Sequence, residues 1–238
     1  MVTGSLLGFE TNDGVLEITH AFPFPDKEDD DYQLEMMRML REVNVDNNCV
    51  GWYQSMYLGS YSTTQLLESQ LSYQTDLSAN AVVVLYDPMQ TSHGDLMIKC
   101  LRLTEECLQK ANTNQYVKHI FEQVPIEFSN PGLVRALLVD IPPSTSLDRL
   151  DLSTGPYLEK HLEFLGSWVD ELSQEQMKFQ LYAKKRSSKA EEAPRRIESL
   201  LIANQIHTYC DQVNKFAGGG FGKLFLAGGL HQEKNGGN

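Results

Sequence analysis

The chain has 238 residues, 41% apolar and 22% charged, which excludes wholesale disorder and allows one large domain or one domain with an appendage. Twenty Lys and Arg face 32 Asp and Glu, and the excess lies in residues 1–150, with 9 basic and 21 acidic side chains. An acidic body argues against a sequence-independent grip on nucleic acid, and no apolar run reaches the ~18–20 residues that cross a bilayer, so no membrane partner is expected.

Val2–Gly8 reads as a buried strand from the first residues, so further sequence is expected before Met1. No signal-peptide pattern opens the chain. The turn dipeptide Asp13-Gly14 leads into a second strand, Val15–His20. Two prolines in Ala21–Pro25 bar that stretch from a central strand. Asp26–Asp31 is an acidic loop without the glycine and closing glutamate of a calcium loop. Leu34, Met37, Leu40 and Val43 then recur at near-helical spacing. Cys49–Tyr53 reads as a strand and Thr63–Tyr73 as a helix with Leu66, Leu67 and Leu71 on one face. Ala81–Tyr86 (AVVVLY), wholly apolar and closed by Asp87-Pro88, predicts a central strand buried on both faces. Strands at Leu96–Leu103 and Phe121–Phe128 and a helix at Pro131–Val139 follow. Strands and helices interleave, so the fold class is α/β or mixed α+β. Residues 1–150 are expected to fold as one self-sufficient body.

The pattern changes after Gly155-Pro156. Leu158, Leu162, Leu165, Val169, Leu172 and Phe179 make a narrow coiled-coil-like stripe. The first C-terminal helix is placed at 153–186, a charged linker at 187–196, and a second helix with a short terminal one at 197–238. Ile202, Ile206, Tyr209, Val213 and Phe216 repeat the stripe. Gly218-Gly219-Gly220 is expected to stop the helix, with Leu224 and Phe225 in a last apolar turn. Trp168, Phe164, Leu201, Leu224 and Phe225 lie off both stripes, so an isolated pair would leave them wet; helices from partner chains are expected to cover them.

Few motifs carry chemistry. Cys49, Cys100, Cys107 and Cys210 form no CxxC and read as reduced thiols of an intracellular protein. Residues 217–224 fail the phosphate-loop pattern at Ala217 and Leu224. The six histidines form no ligand pair. Lys184-Lys185-Arg186, Lys189 and Arg195-Arg196 are the one basic cluster, a solvated linker with RNA contact as the weaker reading.

The informative segment is Val50–Gln70, VGWYQSMYLGSYSTTQLLESQ. A strand ending Val-Gly-Trp-Tyr, a loop and a helix resemble the core of the MPN domain. Its metalloprotease branch has two His two residues apart and an Asp on the following helix as zinc ligands, with an upstream Glu as general base. The matching His positions here are Gln54 and Met56. The Ser-x-x-Asp falls on Thr63 and Leu66, or on Thr64 and Leu67 with a one-residue gap, and the Glu position on Met1. Gln is a weak neutral ligand, a thioether suits Cu(I), and Leu has no lone pair. No zinc, no cofactor and no catalysis are expected at these positions.

The resemblance extends along the chain. Thr3–Gly8, Leu16–Thr19, Phe22–Pro25, Glu35–Arg38, Gly51–Ser55, Tyr86–Pro88, Ser199–Ala203, Thr208–Cys210 and Gly222–Phe225 are similar, in order, to the H-subunit family of eukaryotic translation initiation factor 3. Residues 104–115 and 184–196 look shorter than the family's. The resemblance implies a curved mixed sheet flanked by helices and a cytoplasmic, non-catalytic subunit in a factor that binds the small ribosomal subunit. It implies a heterodimer with the factor's other MPN subunit, F, and C-terminal helices in a multi-subunit bundle. The alternatives are a silent MPN subunit of the proteasome lid or signalosome, a ubiquitin-binding module, and a zinc isopeptidase.

Overall fold

The computed structural model describes residues 2–25, 30–45, 48–92, 96–110, 119–140, 155–185 and 196–235. Contacts divide the chain into two units. The first is Met1–Ile126 with Arg195–Leu201, and the second is Glu127–Pro194 with Ile202–Asn238.

The first unit is mixed α+β, as the interleaved pattern predicts. Its elements are β1 (Thr3–Glu10), β2 (Leu16–Pro23), α1 (Asp30–Glu42), β3 (Cys49–Ser55), α2 (Thr64–Ser72), β4 (Val82–Tyr86), α3 (Pro88–Ser92), β5 (Ile98–Leu103), α4 (Glu105–Lys110) and β6 (Phe121–Val124). Six strands form one sheet in the order β2-β1-β3-β4-β5-β6. Only β3 and β4 pair in parallel, and the chain between them crosses over through α2, as a parallel pair requires. The β-branched run Val82–Val84 therefore sits inside the sheet, where Val83 and Leu85 are fully buried.

β2 runs through Ala21 and Phe22 to Pro23, further than the two prolines suggest. It lies at the sheet edge, where a missing N–H breaks no second ladder. The parallel pair approaches closely at Gly51, where a Cβ would stand 2.1 Å from the Val82 carbonyl oxygen. Only glycine fits there without parting the parallel pair.

Two apolar clusters fill this unit. The first gathers Trp52, Met56, Tyr61, Leu66, Val83, Leu85 and Leu101. The second gathers Leu67, Leu103, Cys107, Ile120 and Leu201, with Ile197 and Leu200 against them. Leu201 is only 2% exposed. The Ser62 hydroxyl donates to its carbonyl at 2.9 Å, across 139 residues of sequence. The core of the first unit thus takes in the first turn of the last helix, where Leu201 packs with residues of α2, β5 and α4.

A buried polar chain links helix to sheet. A π-helical turn, Tyr73–Leu77, continues α2 and carries Gln74 inward. Trp52 Nε1 donates to Gln70 Oε1 at 2.9 Å, and Gln70 Nε2 donates to the Ala81 carbonyl at 2.8 Å and to Gln74 Oε1 at 3.0 Å. Gln74 Oε1 also accepts from the Leu103 N–H at 2.8 Å. Tyr73 stacks on Trp52 with ring centroids 5.8 Å apart, and burial pushes its hydroxyl up to about 12.

The second unit comprises α5 (Gly132–Asp140), α6 (Gly155–Lys185) and the length of α7 (Arg196–Asn235) beyond Leu201. The expected stop at Gly218–Gly220 is not observed, and α7 runs on through Gly222 to Asn235. Glycine lowers helix propensity by about 1 kcal/mol per residue but forbids nothing, and no proline follows to end the helix.

Replacing Gln70 by Leu keeps the volume but leaves the Trp52 N–H and the Ala81 carbonyl unpartnered in the core. At about 1–3 kcal/mol per orphaned group, Gln70→Leu should lower stability by at least about 2 kcal/mol in urea-induced unfolding.

Candidate functional site

The loop after β3 and the start of α2 carry the positions where the resemblance puts a zinc site. Gln54 lies on β3, half-buried, between Thr3 on β1 and Leu85 on β4. Met56 follows the strand end, and its N–H donates to the Tyr86 carbonyl at 2.8 Å. Its side chain is 2% exposed. Thr63 caps α2, its hydroxyl accepting from the Leu66 N–H at 3.3 Å, a local role that Thr fills well. Leu66 is 1% exposed. Met56 and Leu66 lie in one apolar cluster with Trp52, Tyr61, Val83, Leu85 and Leu101. In the alternative alignment Thr64 opens α2, and Leu67 is buried in the second cluster. Met1 lies outside the described residues.

The residues do not fit a zinc ion. At two positions that the resemblance gives to an imidazole and a carboxylate, Met56 and Leu66 are buried in one apolar cluster. Among the described residues no three His, Cys, Asp or Glu side chains come together as a metal site. Gln54 falls apart from this pair, on the ladder rather than in the cluster. Trp52 is core as expected, whereas Tyr53 is only half-buried.

Asp87 anchors the loop. Asp87 is fully buried at the end of β4. Its Oδ2 accepts from the Gly59 N–H at 2.6 Å, and its Oδ1 accepts from the N–H groups of Met89 and Gln90 at 3.0 and 3.2 Å. One carboxyl group thus caps α3 and pins the loop after β3. The loop turns through Leu58 and Gly59, both in the left-handed region at φ 51° and 75°. A bulky residue rarely adopts that conformation, and burial of the Leu58 side chain helps hold it. Asp87-Pro88 reads in the sequence as a strand end, and its anchoring role is not evident there. An Asp directly before a Pro is also a helix-cap signature, and that signal finds it.

The C-terminal stripes are partly reassigned. On α6 the most buried residues are His161 and Glu175, with Leu158, Leu165, Trp168, Leu172 and Phe179 half-buried. Leu162 and Val169 are 49% and 48% exposed. On α7, Ile202, Gln205, Tyr209 and Gln212 are buried, Ile206, Val213 and Phe216 half-buried, and Leu224 and Phe225 exposed. Tyr209 receives the His161 ring edge-on at 5.7 Å, and the Phe164 ring stacks on it at 6.2 Å. Phe164 and Leu201, expected to stay wet, are covered by this chain's own residues. The apolar faces are wider than single stripes, so the line that becomes buried sits beside the predicted one, and Leu162 and Val169 fall outside it. Of the basic cluster, Arg186, Lys189 and Arg195 lie outside the described residues.

The first 78 residues match the model of the JAB1/Mov34/MPN/PAD-1 ubiquitin protease family. Residues 91–192 and 185–236 match the model of the C-terminal region of eIF3h. The H subunit of eukaryotic translation initiation factor 3 from Arabidopsis thaliana is 37% identical over 97% of this chain and 86% of its own length. The H-A form from Danio rerio is 36% identical over 99% and 87%, and the H subunit from Nematostella vectensis is 36% identical over 98% and 88%.

Restoring the two imidazoles should not restore a metal site. Gln54→His with Met56→His places a polar ring among Trp52, Leu66 and Leu85, and the variant should lose about 2–4 kcal/mol of stability. Denaturation with and without zinc checks this. One zinc per chain with a gain in stability would contradict the packing reading. The residues matched, and their order along the chain, show that it belongs to the H-subunit family of eukaryotic translation initiation factor 3.

Proposed function

We propose that the protein is a non-catalytic structural subunit of initiation factor 3, working in the cytoplasm by assembly rather than by chemistry. The observation that carries this reading is the pair Met56 and Leu66. Two positions that would bind zinc in a metalloprotease are hydrophobic core, so no activated water can form between them. What the fold offers instead is surface. Leu162, Val169, Met177 and Leu181 on α6, and Phe221, Leu224, Phe225 and Leu226 on α7, are exposed. Each large apolar side chain left in water forgoes about 1.5–3 kcal/mol, and helices of neighbouring subunits are the natural cover.

In this reading the MPN body pairs with the factor's second MPN subunit, F, and the α6 and α7 faces join a helical bundle with further subunits. The chain then reaches the small ribosomal subunit through the complex, without needing a nucleic-acid surface of its own. Its acidic body suits that arrangement, since like charge keeps it off the phosphate backbone.

Replacing Leu165 and Leu172 by Asp puts two carboxylates on the half-buried line of α6. Burying either without a partner costs more than the lost packing. A tagged Leu165→Asp, Leu172→Asp chain should bring down the other factor subunits at no more than about a tenth of the wild-type yield, while circular dichroism shows the sheet intact. Recovery of the full set at wild-type yield would remove the helices as the attachment.

A further inference from the structure

Helix α7 is shared between the two units, and the boundary falls within it, between Leu201 and Ile202. Its first turn is body core. Leu201 packs with Leu67, Leu103, Cys107 and Ile120, while Ile197 and Leu200 flank them. The Ser62 hydroxyl, 1% exposed, fixes the turn through the Leu201 carbonyl. The rest of the helix carries the exposed apolar residues described above. One continuous helix therefore bears both the closure of the body and the face offered to other chains.

We infer that α7 is a latch: its Ile197–Leu201 turn closes the apolar core over α4 and β5, and the integrity of the helix beyond Leu201 sets how often that core opens. The physical reason is helix cooperativity. A turn of five residues does not persist alone in water, because nucleation is unfavourable and only propagation is favourable. The turn stays formed because the helix continues through Gln205 and Tyr209, both fully buried. Anything that shortens or kinks α7 beyond the turn raises the frequency with which Leu201 leaves its place, although it changes no residue of the body. Anything that holds α7 straight lowers it, so a partner on the distal helix tightens the body at a distance.

The chain carries its own reporters. Cys107 is fully buried beneath Leu201, and burial pushes its thiol up to about 11, with Glu106 adding to the shift. It reacts with a thiol reagent only when the latch opens. Cys100 is buried on the opposite face of β5 from Leu101 and Leu103, outside the latch cluster, and burial pushes it up to about 11 as well. It reports opening of the sheet itself. Cys210 is exposed and sets the rate of an unprotected thiol.

The test is labelling of the full chain with iodoacetamide near pH 8, each cysteine followed by peptide mass spectrometry. In Leu201→Ala, Cys107 should label about tenfold faster than in wild type while Cys100 keeps its rate. The decisive variant is His207→Pro. His207 is largely solvent-exposed, its side chain in an i,i+4 contact with Asp211, so the substitution deletes no buried side chain. It kinks the helix six residues past the latch. Cys107 should label about threefold faster or more, again with Cys100 unchanged. An unchanged Cys107 rate in His207→Pro overturns the coupling. An equal rise at Cys100 and Cys107 in Leu201→Ala overturns the latch, because the body would then be opening as a whole.

Discussion

The packing of Met56 and Leu66 into one apolar cluster is the constraint from which the rest of this molecule follows. β3 delivers Met56, α2 delivers Leu66, and the parallel β3–β4 pair fixes the distance between the elements that carry them. In a hydrolytic relative the same two places would need open coordination positions and a water. Here dispersion contacts among buried side chains stabilise the junction. The loop between them still needs an anchor, and Asp87 supplies it by accepting the Gly59 N–H from across the sheet ends. A carboxyl group that satisfies three backbone donors does with hydrogen bonds what a metal would do with ligand bonds.

The same economy runs through the body. Its buried polar groups are structural connectors. Gln70 and Gln74 tie the second helix and its π-helical turn to β3, to β5 and to the residue that enters β4, and Ser62 ties the body to residue 201. Each satisfies a backbone or ring group that burial would otherwise orphan. The last of these connections spans 139 residues of sequence, so the core of the body draws on a distant part of the chain.

Local pattern carries much of this, and the misses have physical causes. Val82–Leu85 announces a central strand because β-branched side chains without a polar face fit only a site buried on both sides. The zinc-ligand positions are legible because a thioether and an isobutyl group cannot replace an imidazole and a carboxylate, whatever the fold. The burial of Met56 and Leu66 in one cluster is not, since it depends on how α2 folds back on the sheet. Leu201 shows the same limit more strongly. In sequence it is one more apolar residue on a long helix, and only the open face over Leu103 and Cys107 makes it body core. The continuous α7 defeats a glycine rule, because Gly218–Gly220 is permitted in a helix even though it is disfavoured. The displaced stripe on α6 reflects a broad apolar face, on which spacing alone does not select the buried line.

Zinc content of the purified full chain, measured by elemental analysis after growth in zinc-supplemented medium, tests the central claim most directly. A body whose ligand positions have become core should hold well under one zinc per chain, unchanged by Met56→Leu. One tightly held zinc per chain that disappears with Met56→Leu would contradict the account, because the metal would then be bound where we place hydrophobic packing.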